Sequence, residues 1–148
     1  MERMRVRDIM TANPVVIEPN ITVPAATAVM RQHKIRHLPV VENGRLVGMI
    51  SLGDLREASM SASINADQYE LHFMLDRLTV GKLMTRKVHT VTPDAFLVHA
   101  AELMTENKIA GLPVVDEKGG VVGIVTESDL LRTLVTKLRE AEEALAEG

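Results

Sequence analysis

The sequence predicts an α+β fold in which two pseudo-symmetric β-α-β-β-α units pack together as one module. The first observation is an internal repeat: Leu38-Pro39-Val40-Val41 aligns with Leu112-Pro113-Val114-Val115, 74 residues later. The second is Asn43-Gly44 between two apolar runs, which is a strong hairpin signal. The third is a composition of 46% apolar but only 2% aromatic residues, which predicts an aliphatic core. Two copies are too few for a solenoid, so we expect each copy to cover a face of the other.

Each copy begins with a predicted strand and helix. In the first copy, Val15-Val16-Ile17 is an apolar run that ends just before Pro19 and predicts a short strand. A helix is expected from about Val23 to Lys34, with Thr22 as its N-cap. Pro24 fits the first turn of that helix, where a missing N–H is tolerated. Apolar residues then recur at helical spacing up to Met30.

A hairpin and a second helix complete each copy. We expect a strand from His37 to Val41, a turn at Asn43-Gly44, and an antiparallel return from Leu46 to Ile50. A second helix is predicted after Ser51. The second copy repeats this order, with Glu117-Lys118-Gly119-Gly120 at its turn.

The repeat predicts four segments: a first repeat at residues 1–60, a linker at 61–79, a second repeat at 80–136 and a C-terminal helix extension at 137–148. The small, polar residues 57–65 are expected to form a mobile loop. Leu71 and Leu78 keep helical spacing and predict a connecting helix. The extension continues an apolar stripe through Leu138 and Leu145. It could pack on its own domain or contact a second chain.

Composition excludes several classes of function. The net charge is −3 with acids and bases interspersed, which argues against a nucleic-acid partner. Because the chain has no Cys, disulfides, thiolate metal sites and Cys nucleophiles are excluded. The opening MERMRVRDIM lacks the apolar run of a signal peptide, and no stretch reaches the roughly 18 apolar residues of a membrane span. We therefore expect a cytoplasmic protein without a membrane partner.

The candidate metal and catalytic groups are incomplete. His33 and His37 are four residues apart, but Leu38-Pro39 ends the helix before His37, and no acidic ligand lies nearby. We expect no metal site. Ser51 and Thr126 lack a positioned base, so the sequence predicts no catalytic residue and no enzyme activity.

Two longer motifs carry a resemblance to a known family. They are "HLPVVENGRLVGMISLGDL" and "GLPVVDEKGGVVGIVTESDL", each preceded by a helix and by "IMT" or "LMT". From about Val6 to Leu134 the chain resembles the CBS-domain family, and it is most similar to small stand-alone bacterial proteins of the acetoin-utilisation type. The resemblance implies a tandem pair, called a Bateman module, with two clefts between the repeats. It also implies a homodimer, and we expect an unidentified regulated protein as a possible partner.

The Asp of each motif has two possible roles. By spacing alone, Thr126 and Asp129, like Ser51 and Asp54, form a capping box at a helix N-terminus. The resemblance implies instead that the Asp accepts hydrogen bonds from both ribose hydroxyls, which suits a carboxylate with two oxygens. Both roles could coexist.

The resemblance also implies an adenine slot. Backbone before Pro39 and Pro113 would bind the adenine edge, and Val91 and Ile109 would form apolar walls. Lys82 lies where the family often places an adenine-contacting residue, although it could also be simply solvated. For Leu112 and Val114, which flank Pro113, core packing is the preferred interpretation.

Arg36-His37 is where the two copies differ most, because Ala110-Gly111 replaces this pair in the second copy. The pair could be an exposed basic strand start. In the family, basic residues here reach phosphates bound mainly by the other repeat, and Arg and His suit that role. The cleft of Thr126 and Asp129 is therefore predicted to hold phosphate. The cleft of Ser51 and Asp54 should bind weakly, bind a nucleoside-like ligand or stay empty.

The predicted function is a regulatory module that senses an adenine nucleotide. The expected ligand is AMP, ADP, ATP or a related adenosyl compound such as S-adenosylmethionine, with no required cofactor. The alternative is a structural dimerisation module whose clefts are vestigial and bind no nucleotide.

Overall fold

The computed structural model describes residues 3–148 and divides the chain into two compact units. Unit 1 contains the described residues up to Pro14 together with His89–Glu117 and Val122–Gly148. Unit 2 contains Val15–Val88 and Lys118–Val121. The units therefore differ from the sequence repeats, because the opening segment of each repeat lies in the unit that contains the rest of the other repeat.

Unit 2 is built on a two-stranded antiparallel sheet with helices around it. Its turn places Asn43 at φ 53° and Gly44 at φ 76°, the left-handed pair of a type I′ hairpin, so the Asn-Gly prediction is confirmed. The elements are α1 (Val23–His33), β2 (His37–Glu42), β3 (Arg45–Ser51), α2 (Leu52–Ser63), α3 (Gln68–Leu75) and α4 (Val80–Leu83).

Unit 1 contains a three-stranded sheet in the order β1-β5-β4. A short 3-10 helix, Val6–Asp8, precedes the first strand. The other elements are β1 (Thr11–Ala12), α5 (Leu97–Asn107), β4 (Gly111–Val115), β5 (Val121–Thr126) and α6 (Glu127–Glu147). Because β1 pairs antiparallel with β5, the opening residues of the first repeat complete the sheet of the second.

Each unit has its own aliphatic core. The predicted α+β class and the pair of related repeats are confirmed by this mixture of helices and hairpins. The core of unit 2 consists of Ile17, Val23, Ala26, Met30, Leu38, Val40, Ile50, Leu55, Val80 and Met84. The core of unit 1 consists of Val6, Val91, Leu97, Ala100, Met104, Leu112, Val114 and Val125.

The predicted strand at Val15-Val16-Ile17 is wrong, because only Ile17 forms a bridge, parallel to Val40. The Ile17 N–H donates to Pro39 O at 3.1 Å, and Val41 N–H donates to Ile17 O at 2.8 Å. Extending this ladder would need N–H groups from Pro39 in one direction and Pro19 in the other, and proline has none. The second repeat has the same limit, with one bridge from Val91 to Val114 between Pro93 and Pro113.

The observed helices agree with the predicted ones except after the first repeat. In α1 the Thr22 hydroxyl accepts from Ala25 N–H at 3.4 Å, which confirms the predicted N-cap. The predicted loop at residues 57–65 is wrong for residues 57–63, since α2 continues to Ser63, and a turn follows at residues 64–65. Ser59 and Ser63 direct their hydroxyls back to helix carbonyls, at 3.0 and 2.7 Å, so these polar residues do not break the helix. Helix α3 confirms the predicted connecting helix.

The two exchanged segments dock in the same way. In unit 2, Met49 and Thr85 exchange backbone hydrogen bonds of 3.0 and 2.9 Å, which brings Met84 against Gly48. In unit 1, Thr11 pairs with Ile124, which brings Met10 against Gly123. Each glycine lacks the Cβ that would overlap the methionine side chain beside it.

Candidate functional site

The first site residue, Asp129, lies in the first turn of α6. Its Oδ2 accepts from Thr126 N–H at 2.8 Å and from the Thr126 hydroxyl at 3.0 Å, while Asp129 N–H donates to that hydroxyl at 3.4 Å. The predicted capping box is confirmed. Asp129 is 8% exposed, and it is the one buried charged residue within the described 3–148. A buried carboxylate needs partners for both of its oxygens.

The second oxygen of Asp129 has a partner that the sequence analysis missed. Arg132 donates from Nη2 to Oδ1 at 2.6 Å, and the Arg132 side chain is 73% exposed. The i, i+3 spacing on a helix was the available signal. The corresponding residue of the first repeat, 75 positions earlier, is Glu57, which cannot pair with a carboxylate in this way.

The equivalent site at the start of α2 has the same cap in a more open setting. Ser51 N–H donates to Asp54 Oδ2 at 2.9 Å, and Asp54 N–H donates to Ser51 Oγ at 3.1 Å. Asp54 is half-buried rather than buried. The two repeats therefore present the same carboxylate in two different environments.

In each unit the backbone three residues before the buried proline, Pro39 or Pro113, lies beside the N-terminus of the following helix, α2 or α6. Glu127 N–H donates to Ala110 O at 2.9 Å in unit 1, and Leu52 N–H donates to Arg36 O at 2.8 Å in unit 2. His37 is the strand partner of Ser51. Pro39 and Pro113 are both buried. The predicted adenine backbone and ribose carboxylate of one repeat are thus brought together by its own hairpin.

The remaining predicted residues are distributed between the two units. Val91 is 4% exposed and packs in the core of unit 1, and the half-buried Ile109 packs against that core. Lys82 is exposed on α4 of unit 2. Unit 1 therefore holds Thr126, Asp129, Val91, Ile109 and Pro113, and unit 2 holds Arg36, His37, Pro39, Lys82, Ser51 and Asp54. The pairing of Arg36 with Asp129, which lie in different units, stays a prediction.

Unit 2 also has a groove of about 660 Å³ between α1 and α2, which we call the basic groove. Its apolar lining includes Met30, Ile35 and Leu55, and its lining contains no aspartate or glutamate. The full lining is Thr27, Met30, Arg31, Lys34, Ile35, Arg36, Leu52, Leu55, Arg56, Ser59 and Met60. Four of these lining residues are cations, and Arg36 is the one that the sequence predicted as a site residue.

Nowhere in residues 3–148 do three or more His, Asp or Glu side chains lie close enough together to hold a metal ion. No helix in this part of the chain combines the length and the apolar character that crossing a membrane requires.

The fold of the whole chain is similar to that of several solved structures. The CBS domain pair of protein MJ0100, in complex with 5-methylthioadenosine and S-adenosyl-L-methionine, has a TM-score of 0.78 and 33% identity over 92% of this chain and 99% of that one. A putative acetoin utilization protein (AcuB) from Vibrio cholerae has a TM-score of 0.77 and 31% identity, over 96% and 98%. CBSX2 of Arabidopsis thaliana in complex with AMP has a TM-score of 0.73 and 32% identity, over 90% and 97%.

Some relatives are much longer than this chain. An L-aspartate semialdehyde sulfurtransferase of Methanocaldococcus jannaschii and a homoserine O-acetyltransferase of Methanococcoides burtonii are each 35% identical over 128 and 130 residues. The chain spans only 22% and 24% of their lengths, so the similarity covers a minor part of each enzyme. The CBS domain family itself matches residues 6–61 and 80–136, which together are most of the chain. The chain therefore belongs to the CBS-domain family and contains two CBS domains that form a CBS pair.

Proposed function

We propose that this CBS pair is a regulatory module that binds an adenosine-containing ligand, with Asp129 as the acceptor for the ribose hydroxyls. The observation that carries the proposal is the buried Asp129 carboxylate, whose Oδ1 is held only by the exposed Arg132 among the described hydrogen bonds. A ligand hydroxyl can replace an exposed guanidinium without breaking the helix cap, because the cap uses Oδ2. Asp129 can therefore cap α6 and bind a ribose at the same time.

The bound ligands of similar structures support the chemical class. MJ0100 binds 5-methylthioadenosine and S-adenosyl-L-methionine, and CBSX2 binds AMP. These ligands share adenosine and differ in what the 5′ carbon carries. We therefore propose adenosine recognition as the common element, with the 5′ substituent selected by other side chains.

Arg36 and His37 are our candidates for that selection when the substituent is a phosphate. Arg36 is exposed, and it forms no ion pair within residues 3–148. A guanidinium without an acidic partner is available for a bidentate contact with phosphate. We also propose that the chain is a homodimer and that ligand binding changes its affinity for a regulated partner. A ligand can do this only through different affinities for two states of the module.

The second candidate function is a structural dimerisation module that binds no nucleotide. It is favoured by one observation: both capping-box carboxylates already have hydrogen-bond partners within their own helices. In that case neither Asp129 nor Asp54 would be available to a ligand.

Isothermal titration calorimetry with AMP, ADP, ATP, S-adenosylmethionine, 5-methylthioadenosine and NADH separates the two functions. We expect at least one adenosyl ligand to bind, Asp129→Ala to reduce its affinity at least about a hundredfold, and Asp54→Ala to retain most of it. Asp54→Ala is the matched control, because it removes the equivalent capping box at the start of α2. The binding proposal fails if no adenosyl compound binds or if the two variants lose affinity equally.

Calorimetry with AMP and with adenosine tests the role of Arg36. A charge-assisted hydrogen bond contributes about 1.5–3 kcal/mol, so Arg36→Ala should weaken AMP at least about tenfold. Adenosine should be almost unaffected, because it has no phosphate. Arg45→Ala, which removes another exposed arginine of unit 2, is the control. Equal effects of Arg36→Ala on AMP and adenosine would contradict a phosphate role.

A further inference from the structure

The basic groove is a surface whose charge is not balanced by its own lining. Arg31 and Lys34 enter it from the end of α1, Arg56 enters it from α2, and Arg36 follows α1. Beneath these cations lie apolar side chains, and Met60 at one side is 70% exposed. An apolar floor with a cationic rim fits an occupant that is apolar on one side and acidic.

The C-terminal half of α6 has the complementary character. From residue 140 onward it has four glutamates and neither Lys nor Arg, and residues 135–145, which also include Lys137 and Arg139, carry a net charge of −1. Val135, Leu138 and Leu145 follow one face of the helix, and they are 48%, 54% and 81% exposed. Beyond Thr133 every residue of α6 is exposed, so this part of the helix lacks a partner within its own unit.

The position of Glu142 distinguishes two possible partners for this face of α6, namely a second α6 helix and the basic groove. The spacing Val135, Leu138, Glu142, Leu145 places this carboxylate within the apolar stripe, because positions three and four apart share a helix face. If two α6 helices paired through their stripes, Glu142 would lose solvent against a stripe that contains no cation, which is unfavourable. A groove that offers both an apolar floor and guanidinium groups avoids this problem.

We propose that residues Val135–Leu145 of α6 dock into the basic groove of a second copy of this chain. Leu138 and Leu145 then cover the apolar floor, and Glu142 pairs with the arginines at the rim. In a twofold dimer the contact occurs twice, since each chain offers one helix and one groove. This inference rests on the homodimer proposed above and adds the surface that forms it.

Charge exchange tests the contact. Glu142→Lys, Arg31→Glu and Arg56→Glu are each prepared in the full chain, and the dimer dissociation constant is measured by sedimentation equilibrium at low and moderate salt without nucleotide. We expect each single variant to weaken the dimer about tenfold or more, because both symmetric contacts are affected. Glu142→Lys combined with one of the two arginine variants should return to within about threefold of the original constant.

Two controls separate this contact from general charge effects. Glu140→Lys makes the same charge change on the opposite side of α6, and Lys87→Glu reverses an exposed cation of unit 2 outside the groove. Both should leave the dimer within about threefold of wild type. Calorimetry with the adenosyl ligand on the same variants measures ligand binding independently of assembly.

Several results would overturn the inference. A chain that is monomeric at all concentrations removes both the homodimer and this contact. If Arg31→Glu and Arg56→Glu leave the dimer unchanged, the basic groove is not the interface, and a loss with Glu142→Lys alone shows that α6 pairs elsewhere, for example with another α6. Failure of both double variants to recover excludes the proposed ion pairs. Adenosyl binding that persists in any of these cases leaves the proposed ligand function standing.

Discussion

At the scale of single residues, Asp129 gives its two carboxylate oxygens different partners. Oδ2 holds the start of α6 through Thr126, and Oδ1 faces the Arg132 guanidinium at 2.6 Å. The Arg132 ion pair contributes little to stability, because its side chain is 73% exposed and solvent screens the interaction. A ribose that binds Asp129 through both hydroxyls must nevertheless displace it.

We therefore predict that Arg132→Ala raises the affinity for adenosine about two- to fivefold, the range expected for removing a solvent-exposed ion pair. The measurement is calorimetry with adenosine, which lacks a phosphate that Arg132 could bind. Lys137→Ala, which removes the cation of an exposed pair with Glu140 on the same helix, should have no effect. An adenosine affinity that falls in Arg132→Ala would instead make Arg132 part of the binding site.

The capping boxes could be predicted because their signal is local. Thr126 and Asp129 are three residues apart, and so are Ser51 and Asp54, so the spacing alone defines the hydrogen bonds. The burial of Asp129 could not be predicted, since it depends on neighbours that are distant in the chain. Its pairing with Arg132 could have been predicted from the i, i+3 spacing of the two residues on one helix.

At the scale of elements, the contact between Gly48 of β3 and Met84 determines how closely the exchanged segment can approach. A Cβ at Gly48 would overlap the Met84 sulfur and lie 2.7 Å from its Cγ and 3.1 Å from Thr85 O. We predict that Gly48→Ala lowers the free energy of unfolding by about 1–3 kcal/mol, the usual range for overpacking a filled core. Urea unfolding measures this change.

The control for Gly48→Ala is Gly53→Ala in α2, where the nearest atom to the new Cβ would be Ser51 Oγ at 3.6 Å. That variant should be neutral or should stabilise by up to about 1 kcal/mol, because alanine favours a helix over glycine. In a Met84→Ala background, Gly48→Ala should be less destabilising, since the overlapping side chain is gone. An equal loss in both backgrounds would rule out the contact as the cause.

The two elements that were wrongly predicted depend on contacts with distant residues. Val15-Val16-Ile17 has the composition of a strand, but the neighbouring backbone contains Pro39, which lacks the N–H that a longer ladder needs. Residues 57–65 have the composition of a loop, yet Ala58 and Ala62 favour helix, and Ala62 is buried at 8% exposure. Burial of a few side chains thus overrode local composition.

At the scale of the whole molecule, the two compact units do not coincide with the two sequence repeats. Val80 and Met84 follow the linker in sequence but belong to the core of unit 2, and Val6 precedes the first repeat's helices but belongs to the core of unit 1. No internal-repeat alignment could predict this exchange, because both copies carry the same short segment at the same offset.

We predict that a fragment of residues 15–88 folds better than one of residues 1–64. The second fragment contains the whole matched first CBS domain, residues 6–61, but lacks Val80 and Met84 of its core. The first fragment contains both. Far-UV circular dichroism during thermal unfolding should show a cooperative transition for 15–88 and a gradual one for 1–64.

The comparison of fragments has a clear contrary result. If residues 1–64 unfold cooperatively at the same temperature as residues 15–88, then Val80 and Met84 are dispensable to the core. A Val80→Ala substitution within 15–88 provides the matched check, because Val80 is fully buried and its truncation should lower the midpoint.

The exchange of segments also sets an order of events on the ribosome. Thr11 is synthesised long before Ile124, its strand partner, whereas Met49 and Thr85 are separated by a much shorter stretch. At a synthesis rate of about 5–20 residues per second, the segment with Thr11 waits roughly 6–23 seconds for the strand it must join. The core residues of unit 2, which end at Met84, are all synthesised in that interval, while Met10 still lacks the strand that contains Gly123. The strand that contains Thr11 is therefore synthesised before the other strands of unit 1 but is among the last parts of its sheet to be paired.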